Sequence, residues 1–412
     1  MANTFNTAKD APGIVAKAAA KMLADELQFT KSIETADETD YEGKNGYSSG
    51  DTIYISKPAR FIPQTTFDIT SSIQDVKEEK VALSLDISST VGVDLSTEQM
   101  ASEIQVKSVI QRIIKPAVQS IAQNVEKRFL EKATQATYNL VGTAGSTVFD
   151  TDTVLAAREK INKFLCPKDD NRFVLFDSTA GRSAVNARKG LFQSAADISK
   201  QYKMGYVGTA DGFNWLENEL LYVHTNGADV ACAVEATVLA PATGATTVGL
   251  DGVTSGATIE KGSVFTIAGV YAVHPITKQA YPFLQQFTVT ADVTETSGNT
   301  VTVAISPPIH SAANSLQNVS ALHADEAAVV FVGSASTAYT QNLAFHKNAF
   351  RKVSVPLVMP KNAEFAAQET YEGITVSIVR DFDIKTRKMI TRVDFLGGLV
   401  ADRPEWACRI TG

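Results

Sequence analysis

Apolar residues at Val106, Val109, Ile110, Ile113, Ile114, Ala117, Val118, Ile121, Ala122, Val125 and Phe129 recur at spacings of three and four, which places them on one face of an α-helix. The spacing predicts a helix from about Ala101 to Tyr138, roughly 57 Å long at ~1.5 Å per residue. Pro116 interrupts it. Inside a helix a proline removes a backbone hydrogen bond and clashes with the preceding turn, at about 3 kcal/mol, whereas a first turn tolerates it. A kink or a fresh start at Lys115–Pro116 is therefore expected. The same period in Ile14, Val15, Ala18, Ala19, Met22, Leu23 and Leu27 predicts a helix from Ala11 to Leu27, with Pro12 in its first turn. Val154 to Phe164 and SAVNARKGLF, from Ser183, read as further helices.

Strict alternation marks the strands. DTIYISKP, from Asp51, alternates, and Val81, Leu83, Leu85 and Ile87 do so against Ala82, Ser84, Asp86 and Ser88. These read as two arms of a long β-excursion. Between them KPARFIPQTTFDITSSIQDVKEEK is polar, and Pro58 and Pro63 limit ladder pairing, so it is expected as an exposed tip. ETADETDYEGKNGYSSGD, from Glu34, has no periodicity and reads as a mobile loop. RFVLF, Arg172 to Phe176, reads as a buried strand. From about Ala228 to Gln341, Thr, Val, Ala and Gly dominate in pieces such as SVFTIAGVYAV, QQFTVTADV, NTVTVAIS and AAVVFVG. Charge falls and helical periodicity vanishes, the pattern of an all-β sandwich or barrel set between two α/β stretches. ITVSIVRDFDI and KMITRVDFLGGLV return to strands after Phe350.

Length adds that 412 residues exceed what one core comfortably serves, so two or three units are expected. The chain is 44% hydrophobic and 20% charged, and no run approaches the ~20 apolar residues of a membrane helix. MANTFNTAKDAPG lacks a basic region followed by an apolar core, so it does not read as a secretory signal, and synthesis in a reducing cytoplasm is expected. Cys166, Cys232 and Cys408 are odd in number and widely spaced, which favours buried free thiols over disulfides or a zinc site. A net charge of -7 disfavours sequence-reading nucleic-acid binding, which concentrates Lys and Arg.

Candidate chemistry is sparse. QYKMGYVGTADGF, from Gln201, holds Gly205, Gly208 and Gly212, but at neither the G-x-G-x-x-G nor the P-loop spacing; it reads as a glycine-punctuated turn. None of His224, His274, His310, His323 and His346 lies within four residues of another, so no metal-binding helix motif exists. His224 and His346 read as hydrogen-bonded structural residues. No G-x-S-x-G elbow occurs. Asp169 with Asp170, and Glu78 with Glu79, read as solvated. No catalytic, cofactor or metal residue is assigned. DFDIKTRK, Asp381 to Lys388, reads as an exposed turn whose mixed charges, Asp381, Lys385 and Arg387, are candidates for a subunit contact. Lys57, Arg60 and Phe61 at the base of the excursion are candidates too, because a projecting arm must dock on something.

Several segments together resemble the major coat proteins of short-tailed, podovirus-type bacteriophages: LFQSAADISKQYKMGYVGTADGFNWLENELLYVHTNG, KGSVFTIAGVYAVHPITKQAYPFLQQFTVTADV, YTQNLAFHKNAFRKVSVPLVMP, YEGITVSIVRDFDI and PEWACRITG. The similarity covers most of the chain after Leu191, in order. It implies an α+β subunit with the capsid fold common to tailed phages and an inserted all-β domain. The implied division is an N-terminal arm (1–40), an extended loop with peripheral-domain strands (41–95), a spine helix (96–140), an axial domain (141–227 and 342–370), the inserted β-domain (228–341) and peripheral return strands (371–412). Gly205, Gly208 and Gly212 would be hinges of an axial loop, and Pro116 the kink or start of the spine helix. Relatives commonly carry a Tyr-Gly pair before the final strand, where this chain has FLGGLVADRPEW. No lysine-to-asparagine crosslink is implied.

The expected function is a major capsid protein whose copies form hexamers and pentamers of an icosahedral shell around double-stranded DNA, bound without sequence specificity. The implied partners are further copies, a scaffolding protein and a portal, with no membrane and no cofactor. Assembly would occur in the bacterial cytoplasm, and the protein would reside in the virion capsid. A phage tail or adhesion protein, and less so a hydrolase or nucleotide-binding enzyme, are the alternatives.

Overall fold

The computed structural model of the chain describes residues 19–23, 27–36, 47–57, 61, 79–96, 115–145, 149–187, 208–229, 231–236, 239–296, 298–312, 315–360, 363, 365–371, 373–385 and 388–411. The chain divides into two units. The first draws on Met1–Ser56, Lys80–Leu130 and Phe350–Val400, the second on Lys57–Glu79, Glu131–Ala349 and Ala401–Gly412. Helices and strands mix in both, an α+β architecture.

In the first unit a six-stranded sheet runs Glu34–Thr35, Phe350–Ser354, Lys388–Ala401, Ile374–Asp383, Phe365–Tyr371, and Ile87–Ser96 also pairs with Lys388–Ala401. The helix Lys115–Ala136 contributes its earlier turns here and buries Val118, Ile121, Ala122, Val125 and Phe129, the stripe read from the sequence. Phe129 meets Phe395 edge to face, 6.3 Å between centroids, so the helix lies on the sheet. Thr52–Lys57 and Glu79–Ser84 form a separate two-stranded ladder. Its inward residues Ile53, Ile55 and Leu83, with Leu85 just beyond the second strand, share a core with Tyr47, Val353 and Leu396.

The second unit holds a seven-stranded mixed sheet, ordered Leu140–Val141, Ala407–Thr411, Ala338–His346, Arg172–Phe176, Phe213–Glu217, Thr209–Ala210, with Val223–Thr225 also on Ala338–His346. Phe149, Phe176 and Trp215 pack as an aromatic cluster. The unit also carries a closed barrel, in the order Ala231–Val234, Ala245–Asp251, Thr300–Ile309, Ala280–Val289, Val264–Val273, Ala328–Phe331. Closure leaves no sheet edge, and Val248, Leu250, Phe265, Ile267, Phe287, Val289 and Val303 fill the interior.

Several expectations need correction. Val81 to Ile87 is not one strand: it breaks after Ser84, and Ile87–Ser96 joins the other sheet. Leu85 instead exchanges backbone bonds with Gly50 and Asp51. Glu34–Thr35, read as loop, pairs in parallel with Arg351 and Lys352, a long-range contact with no local periodicity. Leu27 is not helical; Ala19 to Leu23 is helical within the expected 11–27 segment, and Phe29–Ser32 forms a short helix of its own. The helix expected from Val154 begins at Thr151, because Asp150 accepts from Thr153 N at 3.0 Å and Thr153 Oγ1 accepts from Asp150 N at 3.1 Å, a reciprocal cap. The helix expected from Ser183 starts at Ser178, with Asp177 Oδ1 accepting from Ala180 N at 2.7 Å. The long helix ends at Ala136, and its expected portion before Lys115 lies outside the described residues.

Candidate assembly surfaces

In the first unit the strands Ile374–Asp383 and Lys388–Ala401 pair from Val376↔Phe395 out to Asp383↔Lys388, and Ile87–Ser96 follows Lys388–Ala401 to Ser96↔Lys388. Residues near the base, such as Ile378, Val393 and Phe395, are buried, while Asp381, Phe382, Lys388, Ile390 and Arg392 are exposed. A ladder that loses its cover on both faces toward the tip projects from its core. Cross-strand partners share a face, so Asp94, Asp381, Asp383, Lys388, Ile390 and Arg392 line one side. Lys388 Nζ donates to Asp94 and Arg392 Nε to Asp394 Oδ1 at 2.7 Å; the first bond holds the Asp94 carboxyl below its ordinary range. Phe382 faces the other side, and Ile384 at the tip is 84% exposed. Lys385 N donates to Asp383 Oδ1 at 2.9 Å, which shapes the turn. Of the candidates Asp381, Lys385 and Arg387, the first two are exposed here and Arg387 lies outside the described residues.

Lys57 closes the strand Thr52–Lys57, Phe61 is 58% exposed, and Arg60 lies outside the described residues. Pro116 lies in the helix Lys115–Ala136, and the residues before Lys115, on which a kink or a fresh start there depends, lie outside the described residues. Gly205 is outside the described residues. Asp211 and Gly212 have φ of 55° and 77°, and Ala210 pairs with Phe213. Two successive positive-φ residues make a type I′ hairpin turn, which Asp-Gly favours. An added Cβ at Gly212 would sit 3.1 Å from Arg158 Cζ. Gly208, φ 70°, precedes this hairpin.

The barrel is mounted within the second unit by polar groups that sequence reasoning missed. Arg409, fully buried in the strand Ala407–Thr411, donates from Nη1 to Gly262 O at 2.6 Å and from Nη2 to Gln135 O and Thr288 Oγ1, both at 3.1 Å. Gly262 and Thr288 belong to the barrel side, Gln135 to the end of the long helix. Leu140 N donates to Gln286 Oε1 at 2.8 Å, and Gln286 Nε2 returns a bond to Leu140 O at 3.1 Å. Lys160 Nζ donates to Gln286 and to Leu140 O; burial pulls this lysine down to about 8. Tyr281 Oη donates to Lys163 O at 2.7 Å. The one available signal was a charged residue inside the apolar run ACRI.

His224 and His346 are structural in their bonding. His224 is buried, 3.2 Å from Ser263 Oγ, and burial with the nearby Arg409 charge pulls it down to about 4. His346 Nε2 lies 3.0 Å from Asp169 Oδ1 and its Nδ1 accepts from Asn348 N at 3.2 Å. Asp169 is thus tied to a histidine, beyond the solvated role expected of it. Among the described residues no three His, Cys, Asp or Glu side chains gather as a metal site, and no helix is long and apolar enough to cross a membrane. Cys166 and Cys408 are buried free thiols and Cys232 a half-buried one.

A family model described as "P22 coat protein - gene protein 5" matches residues 26–412. A search of curated proteins found no match. Among solved structures, the chain is similar to one from Mycobacterium phage Che8 (11% identity, 93% of this chain and 90% of that chain, TM-score 0.46). It is also similar to the capsid of cyanophage P-SCSP1u (12%, 93% and 88%, 0.45) and to that of Ralstonia phage GP4 (7%, 92% and 86%, 0.48).

Proposed function

Because the chain belongs to the P22 coat protein family, we propose that it is the major capsid protein of a phage head, whose copies close into hexamers and pentamers of an icosahedral shell. The mechanism is recognition between copies: head-to-tail contacts close into rings when the rotation permits. The observation that carries this reading is the family match over nearly the whole chain. The projecting ladder around Ile384 supports it, since an exposed hairpin with an apolar tip stabilises little until it meets a neighbour.

The shell encloses double-stranded DNA without gripping it, in keeping with a net charge of -7. A scaffolding protein and a portal join during assembly in the bacterial cytoplasm, and the product resides in the virion. The domain division proposed is the one implied by the coat-protein resemblance, with the axial domain at 141–227 and 342–370 and the β-domain at 228–341. Asp381, Lys385 and Arg387, with Lys57, Arg60 and Phe61, serve inter-subunit contacts. Gly205, Gly208 and Gly212 give the axial loop its backbone freedom, and Pro116 sets the spine helix.

Rate sedimentation of the full chain expressed in bacteria, with and without a co-expressed scaffolding protein, tests this reading. Material sedimenting as large closed particles is expected; a chain that remains monomeric under every condition would remove it.

A further inference from the structure

Arg409 brings a positive charge into the interior of the second unit, and its acceptors there, Gly262 O, Gln135 O and Thr288 Oγ1, are all neutral. Burial pulls the guanidinium down to about 9, still charged at neutral pH. The ionisable groups that act on it supply no counter-charge. Burial pushes the Cys408 thiol up to about 12 and raises Tyr222 and Tyr339, while His224 is held neutral. A buried charge without an opposite charge is among the costliest arrangements in a protein interior.

Among the described residues, neither Arg409 Nε nor either amide atom of the fully buried Gln341 side chain has a hydrogen-bond partner. In the antiparallel pair Ala338–His346 and Ala407–Thr411, Gln341 lies opposite Thr411 and Leu343 opposite Arg409. Residues two apart share a face, so Gln341 and Arg409 are diagonal neighbours on one side of the sheet. Buried polar groups in native proteins are satisfied by protein, water or an ion, and this pair offers N–H donors next to an uncompensated cation.

We propose that Arg409 Nε and Gln341 Nε2 together hold a small monovalent anion of the chloride class. The anion neutralises Arg409 where the barrel, the end of the long helix and the strand Ala407–Thr411 meet. Folding of the second unit is then linked to anion concentration, because a ligand that binds only the native state stabilises it by mass action.

Thermal unfolding of the purified full chain at fixed pH and ionic strength, with chloride progressively replacing gluconate, reads this linkage. From 1 mM to 100 mM chloride the wild-type midpoint is expected to rise by roughly 2–5 °C, and the Gln341→Leu variant to stay level. Equal rises in both, or none in either, would overturn the proposal. Should Gln341→Leu fail to fold, high-resolution cryo-electron microscopy of the wild type in bromide decides alone. A peak heavier than water beside Arg409 Nε supports the site, and a water-height peak, or no peak, overturns it.

Discussion

Glu126 and Phe29 stand 97 residues apart in sequence, yet the Glu126 carboxylate Oε1 accepts from the Phe29 backbone N–H at 2.5 Å. Oε1 also accepts from Gln28 N at 3.1 Å, and Oε2 accepts from Thr30 N at 3.2 Å and from Thr30 Oγ1 at 2.7 Å. Gln28 provides no side-chain cap to the short helix Phe29–Ser32, so a side chain from the helix Lys115–Ala136 caps it instead. In the same short helix Thr30 O accepts from Lys352 Nζ at 2.6 Å. This clamp fixes residues 28–30 in the first unit.

Glu126→Gln replaces one acceptor oxygen by a donor facing backbone N–H groups, and a loss of about 1–3 kcal/mol is expected. Burial raises the Glu126 pKa above its ordinary 4.5, against the lowering effect of its hydrogen bonds. For a carboxyl raised in the folded state, the folded protein binds more protons across the window, so its contribution is full below pH 4.5 and is lost as pH rises through the folded pKa. The stability advantage of wild type over E126Q should therefore shrink as pH increases in denaturant titrations. An advantage that grows with pH would contradict the clamp's electrostatics.

Arg409→Met removes the fork that joins the barrel, helix end and last strand, leaving Gly262 O, Gln135 O and Thr288 Oγ1 without their donor. A loss of about 3 kcal/mol or more is expected, measured by urea unfolding. Arg409→Lys, a point charge on a flexible stem, should recover little of it.

The elements legible in the sequence were those whose evidence is local. The stripe from Val118 to Phe129 and the run RFVLF gave a helix and a strand because period and burial coincide. Asp150 and Asp177 could have placed two helix starts correctly, since each is an acidic cap residue directly before the helix. The block after Ala228 was open between sandwich and barrel, because closure depends on Ala328–Phe331 pairing with both Ala231–Val234 and Val264–Val273, and no local pattern encodes that. The barrel mount was invisible for the same reason: Arg409, Gln286 and Gln135 acquire meaning only through partners distant in sequence.

His224 supplies a second pH signature, of opposite sign. Its pKa falls from 6.5 to about 4 on folding, so its stability is present above pH 6.5 and is lost as pH falls through about 4. A decline of up to about 3 kcal/mol between pH 7 and pH 4 follows from it. His224→Asn should flatten that decline; an unchanged acid slope would show that other groups carry it.

FLGGLV places glycine where the strand Lys388–Ala401 approaches its neighbour. A Cβ at Gly398 would lie 2.4 Å from Ser84 O and 2.5 Å from Leu83 Cδ2, so Gly398→Ala requires a backbone shift and should cost about 2–3 kcal/mol. Gly212→Ala meets the side chain of Arg158, which can move, and should cost about 1–2 kcal/mol for its positive φ. Thermal unfolding of the two variants should preserve that order.

Ile384→Asp alters the exposed residue at the tip of the ladder Ile374–Asp383/Lys388–Ala401. The change should leave subunit stability within about 0.5 kcal/mol while lowering the yield of assembled particles. Equal yields by sedimentation would free this tip from any role in assembly.

Negative-stain electron microscopy of the purified chain, alone and with a co-expressed candidate scaffolding protein, tests the central claim most directly. The account predicts closed, icosahedral shells of uniform diameter. Open tubes, trimeric fibres or dispersed monomers would contradict it.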